Sequence, residues 1–268
     1  MNRPNLLLTL VLVSATAASR LPAQTYPKAE IRNGLLTAEL YLPDAQKGYY
    51  RGTRFDWSGV IRSLKYRGHE FFGEWFEKHD PLVHDAITGP VDVFDPTGAG
   101  LGYQEAKPGD SFLRIGVGLL EKPDESAFRS SYTYKLVDSG KWTVTKGNNW
   151  IEFVQTVPNR TGYAYLYRKR ITFIPDKPEM VIAYTLKNTG RKVIDTTLFN
   201  HNFFVIDSQK SGPGIVARFP FEPRAVDDLD GMIETRGREL FFEELEGQQR
   251  SVRTRRFRSY GKRLRYRH

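Results

Sequence analysis

Apolar and polar residues alternate over most of the chain between Tyr26 and Phe221, and turn-forming residues interrupt them about every ten positions. Alternation with a period of two is typical of β-strands that bury one face. The segment GLLTAELYLP is a clear case, and GVIRSLKYRGHEFF predicts two strands joined by a tight turn at residues 67–69. No segment shows sustained helical periodicity, although SFLRIGVGLLEK is ambiguous.

The same alternation continues into the second half of the chain. The segment SYTYKLVDSGKWTVTKGNNWIEFVQTV predicts three short strands, and YAYLYRKRITFIPDKPEMVIAYTLKNTG predicts two longer ones. The segment KVIDTTLFNHNFFVID continues the strand pattern. Many short strands separated by turns are typical of a β-sandwich or a β-barrel. The sequence therefore predicts an all-β domain, a β-sandwich, over residues 25–246.

Two loops interrupt this pattern and contain unusual side chains. The first, residues 74–102, is rich in glycine, proline and acidic residues and carries His79 and His84. Loops of this length in compact domains are usually functional or disordered. The second, residues 49–59 (YYRGTRFDWSG), combines two arginines, four aromatic residues and an aspartate. Candidate binding residues are therefore concentrated in these two loops.

The first 24 residues have the pattern of a signal peptide. Arg3 precedes the apolar run Leu6–Val13, and small residues follow it. The run is too short to span a bilayer, and the alternative is a buried N-terminal strand or helix. We therefore expect an exported protein, periplasmic or extracellular, without a membrane span. The chain has no cysteine, which excludes disulfides and thiolate chemistry.

The net charge of +9 comes from the C-terminal tail, residues 247–268. The last 19 residues hold nine arginine and lysine residues, and the other 31 basic residues of the chain match its 31 acidic ones. Such a tail is consistent with a nucleic-acid or anionic-surface arm. The favoured alternative is out-of-frame translation of a GC-rich gene, which would cut the domain short. For the folded domain itself we expect no nucleic-acid partner.

One histidine stands out within a strand-like segment. In TTLFNHNFFVID, His201 lies between Asn200 and Asn202 in an otherwise apolar run. Because the pKa of histidine is near neutral, a histidine facing a polar cleft can act as a general acid or base. On a regular strand the two asparagines would point to the opposite face. The alternative is a half-buried histidine with a purely structural role.

The motif around His201 resembles that of a known family. Residues 200–204, Asn-His-Asn-Phe-Phe, are similar to the Asn-His-x-Tyr/Phe-Phe motif of the galactose mutarotase (aldose 1-epimerase) superfamily. The segments MVIAYTLKNTG and GTRFDWSGVIRSLKYRGHEFF resemble a strand pair and the opening of that family. The resemblance covers about residues 30–240 and points to an exported, poorly characterised branch.

The resemblance implies a galactose-mutarotase-like β-supersandwich, incomplete at its C-terminal end, that interconverts the anomers of a sugar. It implies that His201 is the acid and that Arg54 or Arg51 holds a sugar hydroxyl. His79 and His84 lie where the family has a second histidine, but its His-Gly-Gly segment is absent. The glutamate that serves the family as general base is not identifiable here. A non-catalytic carbohydrate-binding module is therefore the alternative function.

Other side chains complete the set of candidates. Asn200 and Trp57 are predicted substrate contacts, and four carboxylates of the first loop are candidate substitutes for the base: Glu74, Glu77, Asp80 and Asp85. Aromatic rings can stack on sugars, but at most two of six are expected to line a cleft: Tyr49, Tyr50, Phe55, Trp57, Trp75 and Phe76. The segment HDPLVHD has no recognisable third metal ligand, so neither a metal nor a cofactor is predicted.

Overall fold

The structure, a computed structural model, describes residues 25–95, 98–209, 212–223, 233–242 and 264–266. The predicted signal peptide lies outside these residues, as does the arginine-rich tail apart from residues 264–266. The described part of the chain is all-β, as predicted, with no α-helix and one short 3-10 helix, Ile206–Ser208. None of its helices is long and apolar enough to cross a membrane.

Eighteen strands follow one another along the described residues, and every pair between them is antiparallel. In chain order they are β1 Lys28–Arg32, β2 Leu36–Tyr41, β3 Val60–Tyr66, β4 His69–Glu70, β5 Gly89–Phe94, β6 Ser111–Arg114, β7 Gly118–Glu121, β8 Leu136–Asp138, β9 Lys141–Lys146, β10 Trp150–Val157, β11 Tyr165–Phe173, β12 Met180–Asn188, β13 Ile194–Thr196, β14 Leu198–Phe203, β15 Val216–Arg218, β16 Ile233–Arg236, β17 Glu239–Phe242 and β18 Leu264–Tyr266.

Two four-stranded sheets, β1-β2-β3-β4 and β12-β11-β10-β9, form the main layers. Their inner faces share one apolar core, in which Leu40 and Ile61 of the first sheet pack with Phe153 and Phe173 of the second. The remaining strands form the sheets β6-β7-β8 and β15-β17-β16 and the pairs β14-β5 and β13-β18. The described domain therefore consists of several antiparallel sheets, two of which pack against each other.

The turn predicted at residues 67–69 joins β3 and β4. Arg67 and Gly68 have φ angles of +50° and +84°. A two-residue hairpin with a type I′ turn needs positive φ at both central positions, which glycine adopts without strain. The strands predicted in the later segments are also confirmed: three short ones at β8–β10 and two long ones at β11 and β12.

The first loop contains a strand that the alternation rule missed. β5 lies within residues 74–102, and all six of its residues are buried. A strand buried on both faces shows no alternation, and Gly89 and Pro90 at its start resemble loop sequence. The ambiguous segment SFLRIGVGLLEK is a hairpin, β6 and β7, rather than a helix.

Gly89, at the start of β5, has a φ of +87°, and a Cβ there would lie 2.8 Å from the carbonyl oxygen of Ile61. We expect Gly89→Ala to lower the free energy of unfolding by about 3 kcal/mol, because backbone strain and overpacking add. Gly34→Ala is the matched control, since Gly34 has a φ of +89° and no atom within 4 Å of a Cβ. Urea unfolding of both variants measures the difference. Equal losses would show that the contact with Ile61 is unimportant.

Candidate functional site

The pairing of β14 with β5 fixes where His201 points. In this register His201 lies opposite Val91, and Asn200 lies opposite Asp92. The imidazole stacks on the ring of Phe203 at 4.0 Å between centroids and meets Phe55 edge-on at 5.9 Å. Asn200 donates instead to the carboxylate of Asp92 at 3.0 Å. The two neighbours therefore occupy opposite faces of β14, as predicted.

Both unusual loops contribute side chains near His201. Arg54 Nη1 is 2.5 Å from Asp85 Oδ1, and His84 Nε2 is 3.1 Å from Asp85 Oδ2. The guanidinium of Arg54 lies over the ring of Phe55, 5.0 Å from its centroid, and that ring also contacts His201. The side chains of His201 and of these three residues, Arg54, His84 and Asp85, are all partly exposed. Three separate segments therefore converge on one accessible group: Arg54, His84, Asp85 and His201.

The charges of this group act on the imidazole of His201. The pKa of His201 is lowered to about 4. Burial of the imidazole is the main cause, and the positive charge of Arg54 acts in the same direction, whereas Asp85 opposes them. At neutral pH the imidazole is therefore uncharged.

Replacing the guanidinium tests this electrostatic coupling. We expect Arg54→Met to raise the pKa of His201 from about 4 towards its ordinary value of 6.5. The variant removes the repulsion and leaves the carboxylate of Asp85 uncompensated. An NMR titration of the imidazole Cε1–H resonances measures the pKa, with Arg51→Met as the control that leaves it unchanged. A pKa that stays the same in Arg54→Met would place Arg54 outside the site.

Two predicted site residues, Arg51 and His79, belong to a different cluster. His79 stacks on Tyr49 at 3.9 Å between centroids, and Tyr49 stacks on Tyr41 at the same separation. The hydroxyl of Tyr26 is 3.0 Å from His79 Nδ1, and the charge of Arg51 acts on that tyrosine. These contacts hold Tyr26 against the loop of residues 74–102. The structure therefore places His79 in an aromatic cluster, with Arg51 close enough to act on Tyr26, whereas His84 and Arg54 accompany His201.

Trp57 is not available to a ligand, contrary to the prediction. Its side chain is only 2% exposed, and its Nε1–H donates to the carbonyl oxygen of Gly52 at 2.7 Å. Phe55, Asp56, Trp57 and Ser58 are all buried, and Arg54 just before them is partly exposed. Of the six aromatic candidates four are buried, which leaves Trp75 and Phe76 as those that a ligand could reach. Trp75 is the most exposed of the six, at 39%.

A buried ionic cluster, which is not among the predicted site residues, lies on the other face of β14. Lys169 on β11 is fully buried, with Nζ 2.7 Å from Asp92 Oδ2 and 3.5 Å from Asp56 Oδ2. It also donates to the carbonyl oxygen of Ser58 at 2.9 Å. Burial alone would lower the pKa of Lys169, but the two carboxylates raise it above its ordinary value. Asn200 is exposed and joins this cluster through its hydrogen bond to Asp92; its predicted contact with substrate stays a prediction.

A cavity of about 230 Å³ lies apart from this site and is lined by Asp95, residues 100–105, Tyr163, Val193 and Asp195. Its carboxylate Glu105 already pairs with Lys192 and accepts a hydrogen bond from Tyr163. Among the described residues no group of three or more His, Cys, Asp or Glu side chains could hold a metal ion. Comparisons with models of protein families, with curated proteins and with solved structures find no match to this chain.

Proposed function

We propose that the chain is an exported carbohydrate-binding protein related to the aldose 1-epimerases, with its site at Arg54, His84, Asp85 and His201. The observation that carries the proposal is the convergence of these four side chains in one partly exposed group. Together they offer hydrogen-bond donors and acceptors for several hydroxyls. The motif around His201 supports the proposal. So do the two packed antiparallel sheets, which a mutarotase-like β-supersandwich also requires.

Interconversion of anomers needs a proton donor for the ring oxygen and an acceptor for the anomeric hydroxyl proton. In the proposal protonated His201 is the donor. Asp85 is the acceptor, because it is the loop carboxylate that contacts both Arg54 and His84. The bond between C1 and the ring oxygen breaks as both protons move, and an open-chain aldehyde forms. Rotation about the C1–C2 bond and the reverse transfers close the other anomer.

The second candidate function is sugar binding without turnover. The observation that favours it is the lowered pKa of His201, about 4, which leaves the imidazole uncharged at neutral pH. An uncharged imidazole donates and accepts hydrogen bonds with sugar hydroxyls but protonates a ring oxygen poorly. The same residues would then hold a ligand in place.

Exchange spectroscopy by proton NMR separates the two functions. The anomeric signals of glucose and galactose are recorded with and without the protein between pH 4 and pH 7. Faster exchange between α and β signals supports the epimerase, and saturation transfer from protein to sugar without faster exchange supports the binding module. Neither effect with any sugar of a monosaccharide and disaccharide panel would contradict the proposed function.

A further inference from the structure

Trp75, an exposed aromatic residue, borders the candidate site. Phe203 lies two residues after His201 on β14, and so on the same face of the strand. Trp75 stacks on Phe203 with the ring planes 4° apart and the centroids separated by 5.6 Å. The three rings of His201, Phe203 and Trp75 are therefore nearly parallel and lie in succession, with Trp75 outermost and 39% exposed.

The main chain beside Asp85 holds the indole of Trp75 in place. Trp75 Nε1–H donates to the carbonyl oxygen of Ile87 at 3.1 Å, and Ile87 N–H donates to the carbonyl oxygen of Asp85 at 2.8 Å. Trp75 therefore contacts both walls of the site, β14 and the loop that carries Asp85. Since its only polar atom is already bonded, a ligand meets the flat apolar face of the ring.

We infer that Trp75 is a second sugar subsite, so that the ligand is an oligosaccharide of at least two pyranose units rather than a free monosaccharide. The inference rests on the proposed function, with the first unit at His201 and Asp85. The centroids of His201 and Trp75 lie at most 9.6 Å apart, the sum of the 4.0 Å and 5.6 Å separations. This span suits two adjacent pyranose rings. The C–H face of the second ring stacks on the indole, and a stacked aromatic face favours a ring over a flexible chain.

The test compares monosaccharides with their disaccharides. Calorimetric titrations use glucose and galactose against cellobiose, maltose and lactose. We expect the wild-type protein to bind at least one disaccharide on the order of tenfold more tightly than its monosaccharides. Trp75→Leu, which keeps an apolar contact with Phe203 but has no flat ring, should lose this preference and leave monosaccharide affinity unchanged. Trp75→Phe, which restores a ring, should recover most of it.

Phe221→Ala serves as the matched control, because Phe221 is 48% exposed and lies just beyond β15, outside the candidate site. It should leave every affinity unchanged. The subsite is overturned if Trp75→Leu keeps the preference, if it weakens monosaccharides equally, or if the wild-type protein shows no preference. In these cases sugar binding, and with it the proposed function, still stands. If the wild-type protein binds none of the five sugars, the result contradicts both the subsite and the proposed function.

Discussion

Lys169→Met is expected to lower the free energy of unfolding by about 3–5 kcal/mol, because removing one partner of a buried ion pair leaves the other charge uncompensated. Lys169 is completely buried and lies within ion-pair distance of Asp92 and Asp56. Methionine replaces the apolar stem of lysine as far as Cε but has no ammonium group to donate to the carbonyl oxygen of Ser58, which is then left unsatisfied as well. Urea unfolding at neutral pH measures the loss.

The pH dependence of the stability of Lys169→Met shows whether uncompensated carboxylates cause the loss. Burial raises the pKa of Asp56 and the charge of Lys169 opposes that rise, so without the cation the folded state binds more protons at Asp56 than the unfolded state. The stability of Lys169→Met should therefore rise as the pH falls towards the acid range. The double variant Lys169→Met/Asp92→Asn should recover part of the stability at neutral pH, since it removes the closer of the two uncompensated charges.

A surface ion pair provides the control for this prediction. Lys135 Nζ lies 2.7 Å from Glu121 Oε2, the same separation as between Lys169 and Asp92, but the lysine side chain is 71% exposed. Exposed pairs contribute at most about 1 kcal/mol, so Lys135→Met should change stability little. Similar small losses in both lysine variants, independent of pH, would contradict the assignment of Lys169 as the centre of a buried cluster.

The position of Lys169 could have been recognised from the sequence. β11 reads YLYRKRITF, and Tyr165, Tyr167, Ile171 and Phe173 occupy alternate positions that are all buried. Lys169 shares that parity, so strict alternation places it on the inner face. A buried lysine requires acidic partners. What the sequence could not supply is which carboxylates these are, because Asp56 and Asp92 come from distant segments.

In the candidate site, too, local sequence rules predict some features, while others depend on how distant segments fold together. Local rules predicted the hairpin at Gly68 and the long strands because turn residues and alternation act over a few positions. These rules did not separate Arg54, which is partly exposed, from Trp57, which belongs to the core, because residues 55–58 lie outside the strands and are all buried. The choice of Asp85 among four loop carboxylates depended on the path of the loop. Local sequence rules do not predict that path.

His201→Ala is expected to reduce catalysis of anomer exchange by a factor of about 10²–10⁴, the usual contribution of a positioned general acid. His69→Ala is the matched control, because His69 is an exposed histidine whose side chain pairs with Asp207 outside the site. Exchange spectroscopy with the sugar that the wild-type protein turns over fastest measures both rates. Wild-type activity that survives in His201→Ala would exclude the imidazole from proton transfer.

The pH dependence of the exchange rate then shows whether His201 donates or accepts the proton. A general acid acts in its protonated form, and the protonated fraction falls about tenfold for each pH unit above the pKa. With the pKa of His201 lowered to about 4, the His201-dependent rate should fall as the pH rises from 4 towards 7. In Arg54→Met the pKa is higher, so this fall should begin at a higher pH. A rate that instead rises to a plateau above pH 4 would make His201 the proton acceptor and leave the donor to the pair formed by His84 and Asp85.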